Sequence, residues 1–274
     1  MSSSNKFRIA VCLSGQARHW SSCVENIKRF FTFDHPHFET GLPVETDFFI
    51  HTWDTNSWRQ PKTHISVFKD EKHNDKDAII AAYEPKDFQQ EEWIADNFKL
   101  AWDPMFHSFE KSLMQKRRYE LANDFQYDIV VKARLDVIYN PAYRFPLAKV
   151  WPGVCYSCTP VSKFQSEFNY NSLDDVLFYG DSPTMDLMGD LYATHKLTCG
   201  LDYRMENHAT NNIDPVTFYG PGCLLYDHAT NLSIHPHCIE PIEYAVMRST
   251  AVEENLNGIY DYEEIRKKWF AWYI

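Results

Sequence analysis

The chain has 274 residues, of which 44% are hydrophobic and 16% are aromatic, and its formal net charge is −11. This apolar content is enough for a sizeable core, so we expect one large domain that folds unaided. The excess of acidic residues disfavours long-range attraction to a polyanion such as a nucleic acid, although a local basic groove stays open.

Cysteine usage and the N-terminus indicate a reducing compartment. The seven cysteines follow no framework spacing, and the first residues, MSSSNKF, contain no apolar signal segment. The longest apolar runs, such as IAVCL, are too short to cross a bilayer. Cys155 and Cys158 form a single CxxC without a second pair, so they are interpreted as strand and turn residues. The sequence predicts a soluble, cytoplasmic protein without disulfides.

Strands and helices are predicted to alternate in the first half of the chain. A helix before the central strand is well signalled, with Asp103 as its cap, Pro104 in its first turn and apolar residues recurring at helical spacing. The predicted elements are a strand at 7–13, a turn at 14–16, a helix at about 21–31, a strand at 47–51, a polar surface loop at 56–77, the helix after Asp103 and a strand that begins at Tyr127 and ends on Arg134 and Asp136. This order predicts an α/β fold whose parallel strands are joined by right-handed crossovers.

The pattern is less regular after Pro141. Ser182 and Pro183 are expected to begin a helix on which Met185, Met188 and Tyr192 share a face. The other predicted elements are strands at 153–158 and 176–179, a polar segment at 200–215, a helix near 222–230, a short strand LSIHPH and an amphipathic C-terminal helix in the tail YDYEEIRKKWFAWYI. We expect the aromatic end of that tail to dock on the body of the protein.

The segment at 127–139, YDIVVKARLDVIY, is the strongest indication of a site. Its β-branched run is typical of a strand covered on both faces, and open α/β sheets bind ligands beyond the carboxyl ends of their strands. Side chains alternate along an extended chain, so Arg134 and Asp136 are expected to point to the same side. They then present one cation and one anion to the same small volume. An internal ion pair at the strand end is the alternative.

Two further groups of polar residues follow the first two strands. Ser14, Gly15 and Gln16, with Arg18, could bring backbone N–H groups and a guanidinium to a phosphate, but the segment matches neither GxGxxG nor a P-loop. His51, Trp53 and Asp54 end the second strand. Trp53 could stack on a base or sugar and Asp54 could bind a hydroxyl, or Trp53 could pack under the neighbouring loop.

A last group places Asp174 and Asp175 before the strand VLFYG and two histidines, His235 and His237, in an HPH segment. Mg²⁺ or Mn²⁺ is often held by one or two carboxylates together with diphosphate oxygens and water, so Asp136 with one imidazole would be sufficient. The histidines are otherwise ordinary turn or surface residues, and the same HPH pattern recurs at His35 and His37.

Three of these segments resemble those of a family of GT-A type glycosyltransferases of bacteria and viruses. The family has a first strand ending in SGQxR, a second reading roughly DIFIHTWD, and a YDxVIxxRxD segment. Here they correspond to residues 14–18, 47–54 and 127–136. The resemblance continues through SLDDVLFYGDSPTMDLMGDLY to EYAVMR, where Arg248 matches a terminal arginine.

The resemblance implies a single GT-A-like, Rossmann-like domain with a mixed, mainly parallel sheet flanked by helices. Residues 1–140 would form the nucleotide-sugar-binding half, and residues 141–274 the acceptor-binding half with the C-terminal helix. A donor such as a UDP-sugar would lie across the carboxyl ends of the first strands. The implied donor-binding residues are Ser14, Gly15, Gln16, Arg18, Trp53, Asp54, Arg134, Asp136 and Arg248.

The resemblance also assigns chemical roles. Asp136 takes the part of the second acid of an Asp-x-Asp motif, as a ligand of Mn²⁺ or Mg²⁺ with His235 or His237. Arg134 stands where the motif has its first Asp, which leaves the metal requirement open because arginine can neutralise phosphate directly. Asp175 is the first choice as general base and Asp174 the second, although either could instead bind sugar hydroxyls.

The function that follows is transfer of a hexosyl or pentosyl group from a nucleotide-diphosphate sugar to an acceptor hydroxyl. A glycan of the lipopolysaccharide or capsule type is the expected acceptor. The alternatives are a modified base of viral DNA, which the net charge disfavours, a sugar-nucleotide-binding protein without turnover, and a nucleotidyltransferase. The oligomeric state is left open.

Overall fold

Strands and helices alternate from Phe7 to Ala133, and the later elements follow in runs of strands and of helices. The computed structural model describes residues 5–55, 74–94, 102–157, 173–198, 221–239, 242 and 244–246. In chain order the elements are β1 (Phe7–Gly15), α1 (Trp20–Phe31), β2 (Val44–Trp53), α2 (Lys76–Tyr83), β3 (Asp87–Glu91), α3 (Asp103–Asn123), β4 (Ile129–Ala133), β5 (Val137–Tyr139), β6 (Val154–Ser157), β7 (Phe178–Gly180), α4 (Ser182–Gly189), α5 (Leu191–Thr198), α6 (Pro221–Asn231), β8 (His235–Cys238) and β9 (Tyr244–Val246).

A seven-stranded sheet in the order β3-β2-β1-β4-β7-β6-β8 forms the centre of the molecule. β1 pairs in parallel with β2 and β4, and β2 pairs in parallel with β3. β7 is antiparallel to both of its neighbours, while β6 and β8 are parallel. β5 and β9 form a separate antiparallel pair. The predicted α/β class with a mixed, mainly parallel sheet is confirmed.

Both faces of the sheet are covered, which explains the continuous apolar runs of its central strands. Alternate residues of β1 enter different clusters: Ile9 and Val11 pack with α1 and α2, whereas Ala10 and Cys12 pack with α3 and α4. Ile129 and Val130 divide between the same two clusters. Period-two alternation therefore assigns even-numbered residues of β1 to the face beneath α3.

Several predicted boundaries differ from those observed. β1 and β2 extend to Gly15 and Trp53, two residues beyond their predicted ends. The strand predicted to end on Arg134 and Asp136 ends at Ala133, and after a turn at Leu135 and Asp136 the chain enters the second sheet as β5. α2 begins inside the predicted loop, and β3 was not predicted. All five residues of β3 (DFQQE) are half-buried, as suits an edge strand that has no apolar alternation.

The predicted cap of α3 is wrong, whereas α4 begins at Ser182 as predicted. Trp102, not Asp103, is the N-cap of α3, and Asp103 is its first residue. The side chain of Asp181 accepts from Thr184 N and caps α4. α4 ends at Gly189 and α5 begins at Leu191, so the predicted single helix is two. Gly189 packs closely against α3, since an added Cβ would lie 2.3 Å from Leu113 Cδ1.

The described helices include none long and apolar enough to cross a membrane. Cys12, Cys23, Cys155 and Cys223 are free thiols. Cys158 and the predicted C-terminal helix lie outside the described residues.

A buried ion cluster joins α3 to α4. Lys116 is fully buried, and its ammonium contacts Glu120 Oε2 at 2.8 Å, Asp186 Oδ1 at 2.7 Å and Ser182 Oγ at 2.6 Å. Two residues further on, Arg118 pairs with Asp87 at 3.0 Å on the surface, with its side chain 63% exposed. The basic segment KRR at 116–118 therefore contains both a structural cation and a solvated one.

We expect Lys116→Met to lower the free energy of unfolding by about 3–5 kcal/mol, because it leaves the buried carboxylate of Glu120 without its cation. The matched change Arg118→Ala should cost under about 1 kcal/mol, since water screens an exposed pair. Urea denaturation of both variants measures the difference, and equal losses would show that Lys116 does not organise this contact.

Candidate functional site

The strand order reverses direction between β1 and β4, and this is the point where open α/β sheets bind ligands. The chain runs from β1 outward to β2 and β3, then returns to place β4 on the other side of β1. Arg18 follows the carboxyl end of β1, and Arg134 and Asp136 follow the carboxyl end of β4. Two separate polar segments of the sequence therefore meet at one crevice.

Asp136 is the centre of this meeting point. It is fully buried, and Arg134 donates to it through Nε (2.8 Å to Oδ1) and Nη2 (2.8 Å to Oδ2). Arg18 approaches the same Oδ2 with Nε at 3.1 Å and Nη2 at 2.9 Å. The carboxylate raises the pKa of Arg134 against the opposing effect of burial. The internal ion pair considered from the sequence is present, and Arg18 enlarges it to a triad with one positive charge in excess.

Asp174 and Asp175 belong to the same end of the sheet. β7 runs antiparallel to β4 with Lys132 opposite Phe178, so residues before β7 lie beside the turn that follows β4. Lys132 is buried and donates to the backbone oxygen of Asp175. The structure thus brings the predicted base candidates to the Arg134 and Asp136 turn.

The two aspartates differ in their surroundings. Asp174 is buried, accepts from Tyr244 Oη at 2.7 Å and from Val176 N at 2.8 Å, and burial raises the pKa of its carboxyl to about 6. Asp175 is half-buried. Burial lowers the pKa of the Lys132 ammonium, and the charge of Asp175 opposes that shift. Asp175 is therefore the more accessible carboxylate of the pair.

The end of β1 leaves room for a ligand. Gly15 has φ of +109°, and a Cβ added there would meet nothing within 4 Å. Its N–H is not available to a phosphate, because it donates to Ser108 Oγ at 2.7 Å. Ser14 is buried, while Gln16 and Arg18 are half-buried. A ligand at this turn would therefore have the open space beside Gly15 and the guanidinium of Arg18.

The second strand contributes less than predicted. Trp53 is only 2% exposed, and its ring lies against His51, Trp93 and His107, which leaves no face for a base or sugar. The packing alternative is the one observed. The Asp54 side chain accepts from Trp93 N at 2.9 Å and joins the end of β2 to the segment after β3.

The predicted metal ligands are not brought together. His235 and His237 are exposed residues of the edge strand β8, three strands from β4 and therefore roughly 14 Å from it. Asp136 is buried, and its carboxylate is paired with Arg18 and Arg134. Arg248 lies outside the described residues.

A different trio meets at the carboxyl ends of β2 and β3. His51, Glu91 and His107 offer ligand atoms that all lie within 4.8 Å of one another. The sequence analysis named His51 without a metal role and did not single out Glu91 or His107. These residues lie on three elements, so no local spacing reveals them.

The raised pKa of Asp174 has a consequence for stability. Between an ordinary aspartate pKa of about 4 and about 6, the folded chain binds more protons at this carboxyl than the unfolded chain. Its contribution therefore makes the free energy of unfolding fall as the pH rises through that window. We expect Asp174→Asn to flatten this slope in urea denaturation between pH 4 and pH 7. Parallel slopes in parent and variant would contradict the assignment.

No protein-family model and no curated protein matches this chain. The function is accordingly inferred from the chemistry of the residues at the carboxyl edge of the sheet.

Proposed function

We propose that the chain is a GT-A type glycosyltransferase that uses a nucleotide-diphosphate sugar. One observation carries the proposal: the three segments that resemble this family lie at the adjacent parallel strands β1, β2 and β4, and the polar turns after β1 and β4 meet at one crevice. Segments 118 residues apart in sequence, at Arg18 and Asp136, are in direct contact there. That arrangement is the one a ligand at the switch point requires.

Arg18 and Arg134 would bind the donor diphosphate. Guanidinium groups pair with phosphate oxygens through two parallel N–H donors, and Asp136 already orients both groups. α1 begins directly after Arg18, with no acidic residue in its first turn and no capping side chain at His19. The partial positive charge of this helix N-terminus favours an anion in the same place.

Asp136 does not fit the metal role that the resemblance implies. Both of its carboxylate oxygens accept from arginine, and a cation there would have to face two guanidinium groups. We therefore derive no catalytic step through Mn²⁺ or Mg²⁺ at this position. The arginines would instead stabilise the charge that develops on the leaving nucleoside diphosphate.

Asp175 is our candidate for the general base. In an inverting transfer, the acceptor hydroxyl attacks the anomeric carbon, its proton passes to the base, and the bond to the diphosphate oxygen breaks. Asp175 is half-buried beside the Lys132 and Arg134 cluster, whereas the Asp174 carboxylate is buried and bonded to Tyr244. Asp174 would then act by positioning this segment. The proposed acceptor is a hydroxyl of a glycan.

We expect Arg18→Ala to weaken donor binding by roughly 10–100-fold, since a charge-assisted bidentate contact contributes about 1.5–3 kcal/mol. Arg29→Ala is the matched control: it removes the same charge from the exposed last turn of α1, far along the helix from the crevice. Shifts of melting temperature with UDP-, GDP-, ADP- and dTDP-sugars measure binding. If no donor stabilises the parent protein, or if both variants bind equally, the proposal is wrong.

The reaction itself is distinguished by its product. Release of a nucleoside diphosphate from the donor supports glycosyl transfer or donor hydrolysis, whereas release of pyrophosphate from a nucleoside triphosphate and a sugar phosphate would identify a nucleotidyltransferase. Donor binding with neither product, across a panel of glycan acceptors, would identify a binding protein without turnover.

A further inference from the structure

The trio of His51, Glu91 and His107 lies on the α3 side of the sheet, apart from the arginine triad. His51 belongs to β2 and is fully buried, Glu91 is the last residue of β3, and His107 lies in the second turn of α3. The side chains of Glu91 and His107 are 27% and 16% exposed, so the trio is open to solvent on one side only.

The hydrogen bonds of Ser108 determine which nitrogen of His51 carries the proton. Ser108 Oγ lies 2.7 Å from Gly15 N, which can only donate, and 3.0 Å from the backbone oxygen of His51, which can only accept. It also lies 2.8 Å from His51 Nδ1. A hydroxyl has one hydrogen, and it serves the backbone oxygen. All three contacts are satisfied only when His51 Nδ1–H donates to Ser108.

In the neutral ring, Nε2 of His51 therefore carries a lone pair. This atom is buried and makes no hydrogen bond among the described residues, yet it lies 3.3 Å from Glu91 Oε1. Two electron-rich atoms thus face each other at close range, an arrangement that a cation between them would stabilise.

We propose that His51 Nε2, the Glu91 carboxylate and His107 Nε2 bind a divalent transition metal ion of the zinc type. Two imidazoles with one carboxylate are a donor set that Zn²⁺ takes with a fourth position left for water or substrate. Two ligand atoms on a tetrahedral Zn²⁺, each at ~2.1 Å, lie about 3.4 Å apart, close to the 3.3 Å between His51 Nε2 and Glu91 Oε1.

The surroundings fit such an ion. The Nδ1–H donation of His51 to Ser108 is the outer hydrogen bond that fixes the tautomer of a metal-binding histidine. His107 Nε2 lies 2.8 Å from Glu91 Oε2, and it binds the ion once its proton moves to Nδ1 or leaves. Trp53 and Tyr192 pack against the His107 ring and restrict its position. This inference is independent of the proposed transferase activity.

The test uses the full chain, stripped with a chelator and titrated with Zn²⁺ alone against a chromophoric competitor. We expect one tight site in the parent protein and a higher melting temperature with Zn²⁺. Co²⁺ in the same site should give the visible absorption of a four-coordinate ion. Mg²⁺ at the same concentration should produce neither effect, because it prefers oxygen ligands.

Glu91→Gln and His107→Ala change partly exposed positions and should each weaken Zn²⁺ binding by more than about 100-fold, since loss of an outer partner alone costs roughly 10–100-fold. The double variant His235→Ala/His237→Ala removes two exposed histidines and should bind as the parent does. The proposal is overturned if the parent binds no stoichiometric Zn²⁺, or if binding survives both site variants.

Discussion

A buried carboxylate held by two arginines is the constraint on which the carboxyl edge of the sheet depends. Removing the Asp136 charge from water is costly unless cations and hydrogen bonds replace the solvent, and Arg18 and Arg134 supply both. Their pairing joins the turn after β1 to the turn after β4. Because these turns flank the reversal of strand order, the same interaction that closes the fold leaves guanidinium groups at the crevice where a ligand would bind.

The carboxyl edge of the sheet has two different electrostatic environments. Toward β4 and β7, Arg134, Lys132 and the two aspartates form a dense, nearly balanced group suited to anions and hydroxyls. Toward β2 and β3, imidazoles and one carboxylate form a group suited to a transition metal. Ser108 connects the two sides, since its hydroxyl contacts both Gly15 at the end of β1 and His51. A ligand that shifted the end of β1 would therefore change the hydrogen bond between Ser108 and His51.

The sequence analysis and the structure differ where a side chain's partners lie far along the chain. Trp53 was a plausible stacking platform because it follows a strand, yet Trp93 and His107 bury it. The HPH histidines were plausible ligands by residue type, but the strand order places them on the edge strand β8, three strands from β4. His107 and Glu91 gave no local signal, because only the packing of α3 on the sheet brings them to His51.

The sequence by itself determined the α/β class, the central strands and the polar residues at their ends, because apolar runs and period-two alternation are local consequences of burial. It also identified Arg134 and Asp136 as a pair. Only the tertiary structure decided that Arg18 joins them, that Asp174 rather than Asp175 is buried, and that Asp136 is enclosed by arginines. The reason is physical: charge pairing and burial depend on strand order and helix docking, which bring together residues that no sequence window contains.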